Sequence, residues 1–151
     1  MIDYTGMNSV EKMRAFIQQY PNLSSFTNGI KIDWNDSKSF GLMPMGQSTI
    51  SRDEDILGNI TLKKQYNFAL YANRFTVEDV IRIETIGFLD DFSEWIEEQS
   101  IRGNAPCFGD NPKAEEISAQ NGMLYQLYED GKTGRYQIQI KVLYEKHFSA
   151  N

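Results

Sequence analysis

The chain predicts an α+β fold, an antiparallel sheet of about four strands with helices packed on one face. Three observations predict it. Near the C-terminus Tyr136, Ile138, Ile140, Val142 and Tyr144 alternate with Arg135, Gln137, Gln139 and Lys141, the period-two pattern of a strand with one buried face. The stretch "EDGKTG" is a turn joining two β-rich runs, which makes them antiparallel neighbours. Two other stretches carry apolar residues at helical spacing, and these supply the helices.

The first helix is read in "NSVEKMRAFIQQY". Asn8 caps it, Glu11 stands at the capping-box position, and Val10, Met13, Phe16 and Ile17 form its apolar stripe. Pro21 closes it. "GIKIDW" follows as a short strand, with Ile30, Ile32 and Trp34 alternating with Lys31 and Asp33. From Asn35 to Gly58 no sustained period holds, and the segment reads as a long irregular connection, with a short arm or hairpin as the open alternative.

"NITLKKQYNFALYAN" restores the pattern. Ile60, Leu62, Tyr66, Phe68 and Leu70 share one side, interrupted by Lys64. Thr76 then reads as the N-cap of a helix with Asp79 in its first turn, and Gly87 as a kink or a break before the next helix. In "QNG", Gln120 to Gly122, a bulge or tight turn is expected. Tyr125 and Tyr128 fall on opposite faces of one strand, so one of them should reach solvent or a partner.

The helix "FLDDFSEWIEEQ" poses the chemical question. At about 100° per residue, Asp90, Asp91, Glu94, Glu97 and Glu98 fall on one face, and Phe88, Leu89, Phe92, Trp95 and Ile96 on the other. This is a solvated face opposite a core face. Carboxylate catalysis needs one acid set apart by an apolar or like-charged pocket, and a straight helix face does not wrap a hard cation. What remains for these acids beyond solvation is an electrostatic face toward a basic partner or a passing polyanion.

The chain has 151 residues, enough for one domain over residues 1–151 with a single sizeable core. Its formal charge of −6 argues against phosphate neutralisation as its main activity. One cysteine, Cys107, permits no intrachain disulfide and suits a reducing cytoplasm. No apolar run approaches a membrane span, and no signal peptide is read at the N-terminus. Phosphate-binding, dinucleotide, metalloprotease and hydrolase-elbow motifs are all missing. The aromatic residues fall mostly at core positions, and Cys107 and the single histidine, His147, near a tail expected to be solvated or frayed, form no catalytic pattern.

Three stretches carry a likeness: "NFALYANRFTVEDVIRIETIGFLDDFSEWIEEQ", "RGNAPCFGDNPKAEEISA" and "GRYQIQIKVLYEK". In this order they resemble minor structural proteins of tailed phages and prophages of Gram-positive bacteria, of the tail-terminator type. The opening "MIDYT" fits as well. The resemblance implies a small α+β subunit that assembles with itself into a ring, typically a hexamer. The ring caps the tail tube, stops its growth and meets the head–tail connector protein, while DNA passes through the lumen without specific binding. It implies no catalysis, no cofactor and no metal. The expected places are the host cytoplasm during assembly and then the virion tail or neck.

Ring subunits reach a neighbour through sheet edges and loops. The segment from Asn35 to Gly58 and the loop from Ile101 to Lys113 are the natural ones here. Arg52, Asp53, Glu54, Asp55, Arg102 and Phe108 are the expected contact residues. Two other readings stay open. One is a small cytoplasmic acyltransferase-type enzyme, with His147 or Cys107 in a pocket. The other is a monomeric binding or adaptor domain.

Overall fold

The computed structural model describes residues 2–27, 29–33, 40–75 and 78–150. Helix α1 (Ser9–Ile17) starts where the sequence places it. Asn8 is extended, and its side chain accepts from the Glu11 backbone N–H at 2.9 Å. Strand β1 (Ile30–Ile32) follows. Trp34, expected to continue that strand, lies outside the described residues, as do residues 35–39.

The next element corrects the sequence reading. Phe40–Glu54 is a fifteen-residue strand, β2, where an irregular connection was expected. Strand β3 (Ile60–Phe75) returns antiparallel to it. The pattern was hidden because the pairing slips between Pro44 and Gln47 and again between Thr49 and Ser51. Each slip moves later side chains to the opposite face, which destroys a period-two signal. Beyond Pro44 the strand is mostly exposed, so there was little burial to impose apolar alternation.

Helix α2 (Asp79–Ile101) then runs 23 residues through Gly87, which rules out the break that was one of the two expectations there. Its N-cap is Glu78, which makes no side-chain cap bond. Thr76, the expected cap, is outside the described residues. Strands β4 (Glu116–Leu127) and β5 (Thr133–Phe148) complete the sheet. The order is β1-β2-β3-β5-β4, with β1 parallel to β2 and every other pair antiparallel. The sheet therefore has five strands and is mixed, where about four antiparallel strands were expected. The class remains α+β.

The ladder between β3 and β5 is unbroken from Ile60↔Phe148 to Phe75↔Thr133. It sets Phe68 beside Ile140, Leu70 beside Ile138 and Tyr66 beside Val142 on the same face. That face is the core. Met13, Phe16 and Ile17 of α1, Phe88, Leu89, Phe92 and Ile96 of α2, and the even-numbered residues of β5 from Tyr136 to Tyr144 form one buried cluster. Tyr20 joins the helices, edge-on to Phe88, Phe92 and Trp95 at 5.4–5.6 Å. Each such fully buried side chain contributes about 1.5–3 kcal/mol.

The expected irregularity at Gln120–Gly122 is a bulge, with Asn121 at φ 59° and the register slipping between Gln120 and Met123. It lets α2 approach closely, since a Cβ on Gly122 would stand 3.0 Å from the Leu89 Cβ. The opposite face of the sheet carries Gln65, Asn67, Gln137, Gln139 and Lys141, and the helices do not cover it.

Candidate interaction surfaces

Three places bear on function: the outer half of the β2–β3 hairpin, the outward face of α2, and the loop before β4.

The hairpin forms an arm. Beyond the helices, β2 is paired only with β3, and β3 with the end of β5. The turn at the tip is held by Asp55. Its Oδ1 accepts from the backbone N–H groups of Leu57 and Asn59, both at 2.9 Å, and its Oδ2 accepts from Asn59 Nδ2 at 3.1 Å. These bonds hold the carboxyl pKa below its ordinary value, with the Asn59 side chain the largest cause and its backbone N–H next. Gly58, at φ 85°, supplies the left-handed residue of the turn. Asn59 also accepts from the Ala150 N–H at 3.0 Å, which ties the end of the chain to the tip. This network presents Ile56 and Leu57 to water, at 102% and 77% exposure. Polar groups fix the turn while its two apolar side chains point outward.

Of the expected contact residues, Arg52, Asp53, Glu54 and Asp55 all lie on this arm and all are exposed. Pairing sets Arg52 beside Leu62 and Glu54 beside Ile60, on the face that continues the core face, and Asp53 beside Thr61 on the other. Arg102 follows α2 and pairs with Glu98 at 2.7 Å on the surface. Phe108 is a correction. It is 4% exposed and packs against Tyr66, Phe68 and Tyr144, so it belongs to the core and is not available to a partner.

On α2, Asp90, Asp91, Glu94, Glu97 and Glu98 are all exposed, and Phe88, Leu89, Phe92 and Ile96 are buried. The same outward face is different in its first half. There Val80, Ile83 and Ile86 stand in solvent beside Gly87. Nothing lies within 4 Å of where a Cβ on Gly87 would be, so the helix has a notch at that point. Splitting the helix at Gly87 concealed this arrangement from the sequence reading. A single 23-residue helix places the apolar half and the acidic half in line.

The loop before β4 turns on Glu115, which is 4% exposed. Its Oε1 accepts from Gly109 N–H at 2.9 Å, and the N–H groups of Phe108 and Cys107 also face the carboxylate, while Oε2 completes no hydrogen bond. Burial raises the pKa of this carboxyl, and the facing N–H groups and Lys12 offset part of the rise. Lys12 Nζ donates to Cys107 O at 2.7 Å and ties α1 to the loop. Gly109 is obligatory, because a Cβ there would meet Glu145 O at 2.5 Å.

Cys107 lies in this loop at φ 60° and is exposed. Desolvation and the nearby Glu115 push its thiol pKa up, away from the thiolate a nucleophile needs. His147 is not in a frayed tail. It lies in β5, with Nδ1 3.0 Å from Thr61 Oγ1, Nε2 3.3 Å from Glu145, and its backbone N–H on Asp110 Oδ2 at 2.9 Å. Tyr125 is 60% exposed, whereas Tyr128 is half-buried and donates to Asn73 Oδ1 at 2.9 Å. None of the described helices is long and apolar enough to cross a membrane. Comparison with protein-family models and with curated proteins finds no match to the chain.

Proposed function

We propose that the chain is a non-enzymatic structural subunit of a tailed phage, which assembles with copies of itself into a ring, caps the tail tube and joins it to the head connector. One observation carries this reading beyond the resemblance that suggested it. Among the described residues and apart from Ile101, the large apolar side chains left in water fall in two groups. Met45, Ile50, Ile56 and Leu57 lie on β2 and its turn, with Phe148 at the end of β5 beside Ile60. Val80, Ile83, Ile86, Met123, Tyr125 and Leu127 lie on α2 and β4. Apolar surface left exposed in clusters marks contact sites. Two unlike contact sites on one subunit allow head-to-tail contacts, which close into rings when the rotation allows.

The sheet edges support the same reading. Among the described residues, β1 covers β2 only at Phe40–Leu42, and the outer side of β4 has no strand partner. Both edges carry the devices by which soluble proteins avoid indiscriminate pairing, namely Pro44 and bulges on β2 and bulges on β4. The acyltransferase alternative needs His147 or Cys107 inside a pocket, whereas both are exposed, and the Cys107 thiol pKa is raised.

The test is a polymerisation assay with the cognate tail-tube protein. Added during tube growth, the protein is expected to shorten the length distribution in proportion to its concentration. Tubes of unchanged length at excess protein contradict the proposal.

A further inference from the structure

We infer that the arm of one copy lies along the outward face of α2 in a second copy, with Ile60 over Ile83 and Leu62 over the notch at Gly87. The inference rests on the self-assembling reading above and names the surfaces that meet. It stands on the match of two linear patterns. From its start, the outward face of α2 runs from a helix N-terminus through Val80, Ile83 and Ile86 to Asp90, Glu94 and Glu97. The arm face continuing the core face runs from the apolar tip through Glu54 beside Ile60, then Arg52 beside Leu62, to Lys64.

The patterns agree in sign and in spacing. Ile83 precedes Asp90 by about 10 Å and Glu94 by about 16 Å along a helix. Lys64 lies about 13 Å beyond Ile60 along a strand. With Ile60 over Ile83, Lys64 therefore reaches the acidic half of α2, and Arg52, level with Leu62, reaches its near end. Glu54 falls near the start of the helix, where the macrodipole is positive and Arg82 is present. Asp79 is already paired with Arg82, and Asp55 is occupied by its own turn, so Glu78 is the like charge this register has to accommodate. The arm and α2 are unlike surfaces of one subunit, so the contact is heterologous.

The experiment is sedimentation velocity over a concentration series with two variants broken on opposite surfaces. Ile56→Ser with Leu57→Ser removes the tip, and Ile83→Ser with Ile86→Ser removes the apolar half of α2. Wild type is expected to form species larger than a monomer, each variant to remain monomeric, and an equimolar mixture of the two to form a dimer and nothing larger. Lys64→Glu is expected to weaken association at least tenfold, and Glu94→Lys in the same chain to restore part of it. Unchanged melting temperatures show that the variants are folded. Variants that associate like wild type overturn the inference and leave the ring reading standing. A wild type monomeric at every concentration also overturns it, and the tube-growth assay then decides the ring reading on its own.

Discussion

Glu115 shows how much of this chain's chemistry is structural. It is a buried carboxyl whose N–H partners belong to a tight loop, and its role is to hold that loop on the sheet. Its raised pKa fixes the sign of a pH effect. The folded protein holds the proton more tightly than the unfolded chain. The stability this group contributes is therefore full below its ordinary value of 4.5 and is lost as pH rises through the raised value. Glu115→Gln should flatten the part of the stability profile that falls as pH rises above 4.5, and should cost less than Glu115→Ala, which leaves Gly109 N–H unpaired at about 1–3 kcal/mol. Urea titrations across that range check this, and a wild-type slope in the Gln variant contradicts it. The sequence contained no sign of this residue's role, because Glu115 and Glu116 are adjacent and identical. Only the fold turns one inward and the other to water.

At the scale of elements, the sequence was legible wherever one face was buried along the full length. The cap of α1, the alternation of β3 and β5 and the turn between β4 and β5 all follow from burial or from local turn chemistry. β2 was not legible, because it bulges twice and is mostly exposed beyond Pro44. α2 was half legible. Its acids and core residues sort by helical period, but its outward apolar half breaks the rule that outward means polar, and Gly87 suggested a break that the structure does not have. The acids themselves stabilise little, since all five are exposed. Replacing Asp90, Asp91, Glu94, Glu97 and Glu98 by their amides should leave the melting temperature within about 2 °C of wild type. Phe92→Ala, which empties a position with 0% exposure, should cost about 3–5 kcal/mol. Calorimetry of both variants separates the two faces of the helix, and a large loss in the amide variant would mean that those carboxylates hold structure.

For the whole molecule, the arrangement is a stable centre with two adhesive margins. Long ladders and one continuous hydrophobic cluster fix the middle of the sheet, while both edges and the arm keep apolar side chains in water. The proposed ring subunit would bury these side chains against its neighbours. The contact residues expected from the sequence follow the same division. Those on the arm are displayed, and Phe108 is withdrawn into the core because the aromatic side chains of β3 and β5 enclose it. Electron microscopy of the purified protein mixed with its cognate tail tubes tests this account most directly. Added density at one end of each tube, and not along its wall, is the predicted result. Bare ends at saturating protein, with the protein folded, would contradict it.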